Sequence, residues 1–110
     1  MPSVPQEIEL TAPQLSVLRK VFIPYADKFE MVGVYGSRVQ GKARPGSDVD
    51  LVIYGAVDAH DIAQMRTDLE ESDLSIFSNI TAYDKITHPA LKAQIDKWMK
   101  PLFGSRELNA

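Results

Sequence analysis

The chain contains no cysteine, so disulfides, thiolate metal ligands and a cysteine nucleophile are all excluded. That absence fits a reducing compartment, and a cytoplasmic protein is the expectation. No apolar run approaches the length of a membrane span, and the N-terminus lacks the basic and apolar regions of a secretion signal. An excess of basic charge is missing too. The formal net charge is −3, whereas surfaces that bind a nucleic-acid duplex are usually basic, so no direct duplex binding is expected. Histidine is scarce, and His60 reads as an exposed residue at a helix start rather than a metal ligand. There is no internal repeat or low-complexity tract. The 110 residues are enough for one core and not for two. A single domain over 1–110 is expected, with residues 1–10 as an extended lead-in around Pro2 and Pro5, and 104–110 as a flexible tail.

What the chain does have is concentrated between Gly36 and Leu51. An apolar segment, Met31-Val32-Gly33-Val34-Tyr35, runs into Gly36-Ser37, and a second, Leu51-Val52-Ile53-Tyr54, follows Asp48-Val49-Asp50. The pattern reads as strand, glycine turn, short helical or looped excursion, then strand. The small side chains of Gly36 and Ser37 let a phosphate approach the backbone amides. A short helix over Ser37 to Gly41 would point its N-terminal amides the same way. Residues two apart in a strand share a face, so Asp48 and Asp50 are expected side by side. Two carboxylates held that close repel unless a cation neutralises them. Mg²⁺ takes carboxylate oxygens together with substrate phosphates, which makes this arrangement suited to phosphoryl or nucleotidyl transfer. Arg38, Lys42 and Arg44 lie between the halves and either offset phosphate charge or face solvent. Ser47 either orients the first carboxylate or serves as a plain turn residue.

Helical periodicity surrounds this stretch. Thr11 caps a helix carrying Leu15, Leu18, Val21, Phe22 and Tyr25 on one face, ended or kinked at Pro24. A second amphipathic helix spans Asp58 to Glu71, with Asp58 as cap and Ile62, Met65 and Leu69 inward. Leu74 to Tyr83 is the third strand, with Ile76, Phe77, Ile80 and Tyr83 as its apolar members. A last helix opens at Thr87-His88-Pro89, with Thr87 as the natural cap and His88 contributing. Leu91, Ile95 and Trp98 lie on its inner face, and Pro101 stops it. Leu102 and Phe103 belong to the core or to a partner-contact patch. The expected fold class is α/β or α+β, a small mixed or antiparallel sheet flanked by helices.

The run Gly36-Ser37-Arg38, Gly41, Arg44, Ser47-Asp48-Val49-Asp50-Leu51 resembles the signature of the DNA polymerase beta-type nucleotidyltransferase superfamily. In its density it is similar to the minimal members, the MNT proteins found in HEPN/MNT toxin–antitoxin pairs. The resemblance implies a polymerase beta-like fold, ATP as substrate and Mg²⁺ as cofactor. Gly36, Ser37, Arg38, Arg44 and Ser47 are then implied nucleotide-binding residues, and Asp48 and Asp50 the catalytic metal ligands. It also implies a HEPN-domain ribonuclease toxin as partner, with AMP moved onto a tyrosine hydroxyl of that toxin.

One position departs from the pattern. The superfamily places a third carboxylate on a later strand, and aligning Asp73-Leu74-Ser75 with the lead-in to that strand puts Asn79 there. Asparagine offers an oxygen to a metal but carries no charge and cannot act as a base. Asp73 and Asp84 lie nearby and neither is a convincing substitute. Two readings follow: an active nucleotidyltransferase, or a module on the same scaffold that binds nucleotide or its partner and turns over little.

Overall fold

The computed structural model describes residues 8–44 and 46–106. The expectations for residues 1–7, 107–110 and Pro45 lie outside the described residues. Ile8 is buried and the Glu9 amide donates to the Arg38 carbonyl at 2.8 Å, so the end of the expected lead-in is held against the fold.

Helix α1 spans Ala12–Phe22, begun by a capping box in which Thr11 and Gln14 satisfy each other's backbone amides. Pro24 ends it as expected, and the chain tightens into a 3-10 turn over Ile23–Tyr25. Strand β1 (Met31–Tyr35) runs antiparallel to β2 (Val49–Tyr54). Helix α2 (Ala59–Glu70) starts at a second capping box, Asp58 with Asp61. It returns the chain so that β3 (Ser78–Ala82) pairs parallel with β2. Helix α3 (Pro89–Trp98) then leads into β4 (Lys100–Gly104), antiparallel to the other edge of β1. The sheet is mixed, in the order β3-β2-β1-β4. The α+β architecture read from the pattern is the one observed.

Strand alternation divides the interior. Val32, Val34, Val49, Leu51, Ile53 and Ile80 face α1 and α2 and pack with Leu18, Phe22, Ile62, Met65 and Leu69 in the principal core. The opposite face carries a smaller cluster of Tyr35, Val52 and Ile95, with Tyr54, Leu91 and Met99 against it.

Four expectations need correction. The third strand begins at Ser78, not Leu74, and Tyr83 belongs to a 3-10 turn after it. Leu74 and Ile76 reach the core from an irregular approach, while Phe77 is 81% exposed rather than buried in a strand. The cap of α3 is His88, whose Nδ1 accepts from the Leu91 amide, rather than Thr87. Trp98 stands outside the inner stripe, which runs Leu91, Ile95, Met99 at i, i+4, i+8 and places Met99 over Gly33. A Cβ at Gly33 would meet the Met99 sulfur at 2.6 Å, so glycine is what allows that approach. Finally, a strand that the pattern does not show runs over Lys100–Gly104, and it takes Leu102 and Phe103 into the core, one of their two expected places. A register shift opposite Val32 and Gly33 lets adjacent Leu102 and Phe103 both be buried. Pro101 sits on an edge strand, where a missing amide is tolerated.

Candidate functional site

β1 ends, and β2 and β3 begin, at the same end of the sheet, and every residue singled out for chemistry lies there or in the loop between β1 and β2. In the ladders Tyr35 is opposite Asp50, and Asp50 is opposite Asn79. The register therefore aligns a tyrosine, a carboxylate and an amide on three adjacent strands. Asp48, just before β2, falls on the same side by strand alternation.

The Asn79 side chain ties the acids together. Its Nδ2 donates to Asp50 Oδ1 at 2.9 Å and to Asp48 Oδ2 at 3.3 Å. Oxygens from both carboxylates thus converge on one point. Asp48 is exposed and Asp50 half-buried. Burial pushes the Asp50 carboxyl above its ordinary range, the Asn79 hydrogen bond works against that shift, and the Asp48 charge adds to it. The Tyr35 hydroxyl is raised too, first by burial and then by the Asp50 charge beside it. Tyr35 reads in the sequence only as the last residue of an apolar strand. Its place directly before Gly36, at the end of β1, was the available signal.

The glycine turn fits against this pair. Gly36 opens a 3-10 turn over Gly36–Val39 with φ of 81°, a left-handed conformation that disfavours side chains. A Cβ built there would overlap Asp50 Oδ2. The turn and the Asp50 carboxylate are therefore in direct apposition. The Ser37 carbonyl accepts from the amides of Gln40 and Lys42 at 3.3 and 3.2 Å, which curls the following loop.

Arg38 and Ser47 hold that loop from within. Arg38 is 5% exposed, and its guanidinium donates to the carbonyls of Glu9 and Ser47 at 2.7 Å and of Arg44 at 3.3 Å. The expected solvent-facing alternative for Arg38 is overturned. Ser47 Oγ accepts from the Arg44 amide at 2.8 Å, so the serine closes a turn immediately before the first carboxylate. Arg44 and Lys42 are exposed.

A divalent cation is tested by this donor set. Asp48 and Asp50 present hard oxygens with open access on the Asp48 side, which suits Mg²⁺ holding several waters and substrate oxygens. The residues fit, with two carboxylates rather than three. Among the described residues no group of three or more acidic, histidine or cysteine side chains is placed to hold a metal. Asp84 falls in the turn beyond the far end of β3, and neither it nor Asp73 joins the pair. A groove of about 430 Å³ lined by Leu69, Leu74, Ile76 and Phe77 lies elsewhere and contains neither aspartate. Among the described residues no helix is long and apolar enough to cross a membrane.

Comparison with known proteins gives a consistent picture. The family model described as "Polymerase beta, Nucleotidyltransferase" matches residues 18–108. No curated protein matches the sequence. Among solved structures, a toxin–antitoxin crystallised with AMP-PNP superposes with a TM-score of 0.67 at 20% identity, covering 82% of this chain and 73% of that one. The toxin–antitoxin MntA-HepT superposes with a TM-score of 0.63 at 15% identity, covering 87% and 74%. At such identities the likeness is one of fold.

Proposed function

The chain belongs to the polymerase beta nucleotidyltransferase family, and from that premise we propose a Mg²⁺-dependent transferase that moves AMP from ATP onto a hydroxyl of a protein partner. The partner in this reading is a HEPN-domain toxin, the acceptor one of its tyrosines, and the chain an antitoxin of the MNT type. One observation carries the reading: Asp48 and Asp50 converge on the Asn79 amide, and the second oxygen of Asp50 lies directly against the Gly36 turn. The fold likeness to a toxin–antitoxin with AMP-PNP supports the choice of nucleotide and of partner class.

In this reading the amides of Gly36 and Ser37 receive the β- and γ-phosphates, and the exposed Arg44 reaches the same charge from the loop. Arg38 acts one step back: its buried guanidinium fixes the carbonyls of Arg44 and Ser47 and with them the shape of the cradle. Ser47 holds the turn that delivers Asp48. Asp48 and Asp50 would hold Mg²⁺, which would supply neutralisation of the phosphate charge that builds as the α-phosphorus is attacked. The acceptor oxygen forms a new bond to that phosphorus, the bond to the bridging oxygen breaks, and pyrophosphate leaves. Asn79 cannot serve as a base, so the hydroxyl proton has the Asp48–Asp50 pair as its first receiver.

The test is incubation with α-labelled ATP and Mg²⁺, with and without the candidate toxin, read by intact mass. The expected outcome is a toxin-dependent gain of AMP, reduced at least about a hundredfold in Asp48→Asn, as loss of a principal electrostatic group does elsewhere. Wild-type turnover in that variant would remove the proposed role. Asn79 favours a second reading, a module that binds its partner without transfer. Complex formation with no added mass would establish that reading instead.

A further inference from the structure

The neutral residue opposite Asp50 does more than occupy the place of an acid. Its Nδ2 bridges both carboxylates, with one bond of 2.9 Å and one of 3.3 Å, and so engages one oxygen of each that a cation shared by the pair would also need. From this we propose that Asn79 is a positioning residue that braces the Asp48–Asp50 pair in the metal-free protein and competes with the cation for it. The inference rests on the proposed metal site and adds to it a statement about when that site fills.

Two like charges at this spacing would splay apart in water without a donor between them. The amide hydrogens of Asn79 supply one at no cost in charge, and the 2.9 Å bond to Asp50 has the length of a charge-assisted hydrogen bond. The parallel register of β3 on β2 fixes Asn79 beside Asp50, so the brace is built into the sheet rather than into a mobile loop. A cation entering the pair must displace those hydrogens. Turning the amide over would offer its oxygen in exchange, but a neutral oxygen on Mg²⁺ is readily replaced by water, which that ion retains in several positions. The exchange therefore runs against the free ion. A cation arriving with a triphosphate brings further oxygen ligands and overcomes the brace, so that the site fills together with its nucleotide.

The experiment is titration of the purified chain with Mn²⁺ alone, followed by electron paramagnetic resonance of the free ion, together with thermal unfolding in the absence of metal. Wild type, Asn79→Ala, Asn79→Asp and Asp48→Asn are compared. Asn79→Ala is expected to bind Mn²⁺ about tenfold more tightly, the weight of roughly one charge-assisted hydrogen bond, while its metal-free melting temperature falls. Asn79→Asp should bind more tightly still and melt lower without metal, with Mn²⁺ restoring more than it does in wild type. A residue of purely structural importance would lower stability without tightening the ion. Unchanged or weaker Mn²⁺ binding in Asn79→Ala overturns the brace and leaves the proposed metal site standing. If none of the chains binds the ion, or if Asp48→Asn binds it as wild type does, the metal site and the brace fall together.

Discussion

On one face of the sheet, Val49, Leu51 and Ile53 of β2 are sealed beneath α1 and α2; on the other, Asp50, Val52 and Tyr54 of the same strand face α3 or open water. The first face carries some twenty buried residues in one cluster and no acid from the strands. The second buries three and carries both aspartates of the site and their amide partner. Strand alternation lets six consecutive residues do both jobs without compromise. The apolar face supplies the rigidity against which a half-buried carboxylate, a left-handed glycine and a like-charge pair are held in place. Each of these costs stability, and the thin face has little burial of its own to offset the cost.

The sharpest way to break this comparison is to cut into each face at one fully buried residue. Leu51→Ala removes a fully buried side chain from the thick face, and a loss of about 2–5 kcal/mol is expected. Val52→Ala, one residue along and equally buried, deletes fewer atoms from a small cluster and should cost clearly less. Urea unfolding of the two variants measures the difference. Equal losses would mean that the two faces share the burden of stability and that the asymmetry is only one of size.

Gly36→Ala tests the thin face directly. An alanine at φ of 81° should cost about 1–2 kcal/mol. Its Cβ would also displace the Asp50 carboxylate it overlaps. Because the obstructing atom is the end of a side chain, the fold can yield there, and the site yields with it. AMP transfer should therefore drop far more than stability does. An alanine variant with normal transfer would show that Asp50 need not lie against the turn.

The same contrast governs what was legible in the sequence. The thick face announces itself through period: the stripe of α1, the capped α2 and the apolar runs of β1 and β2 stand where the pattern puts them, because burial against a flat sheet enforces regular spacing. The turn and the aspartates were legible for a different reason, since Gly36-Ser37 and Asp48-Val49-Asp50 carry chemistry in their residue types. Asn79, legible as the residue at the third-acid position, lies opposite Asp50. What escaped depends on long-range geometry. Leu102 and Phe103 are legible as core candidates but β4 is not legible as a strand, because a bulge lets the two be buried side by side and breaks the two-residue period. Arg38 looks like a loop cation and is instead enclosed by carbonyls from residues far apart in the chain. Tyr35 gains its neighbour only through strand register. The approach to β3 misleads by composition, since Phe77 is apolar and yet exposed.

The smallest effect sharpens the comparison from the sealed side, at the seam between α1 and α2. The Tyr25 hydroxyl donates to Asp68 and is pushed up to about 12, by burial first, then by that hydrogen bond, then by the charges of Asp68 and Asp61. In the unfolded chain the hydroxyl titrates near 10, so between about 10 and about 12 the folded state keeps a proton that the unfolded state has lost. Stability therefore falls as pH rises through that window, and below it the group contributes no slope. Tyr35, Tyr54 and Tyr83 are raised as well and add to the fall in wild type. The difference between wild type and Tyr25→Phe isolates the seam. Phenylalanine should cost about 1 kcal/mol at neutral pH through the lost hydrogen bond and should unfold with a shallower pH slope across the window. Chemical denaturation at several alkaline pH values measures both quantities. Parallel curves would mean that the Tyr25 hydroxyl titrates as it does in water, and that this edge of the thick face is open to solvent in the way the site on the other face is.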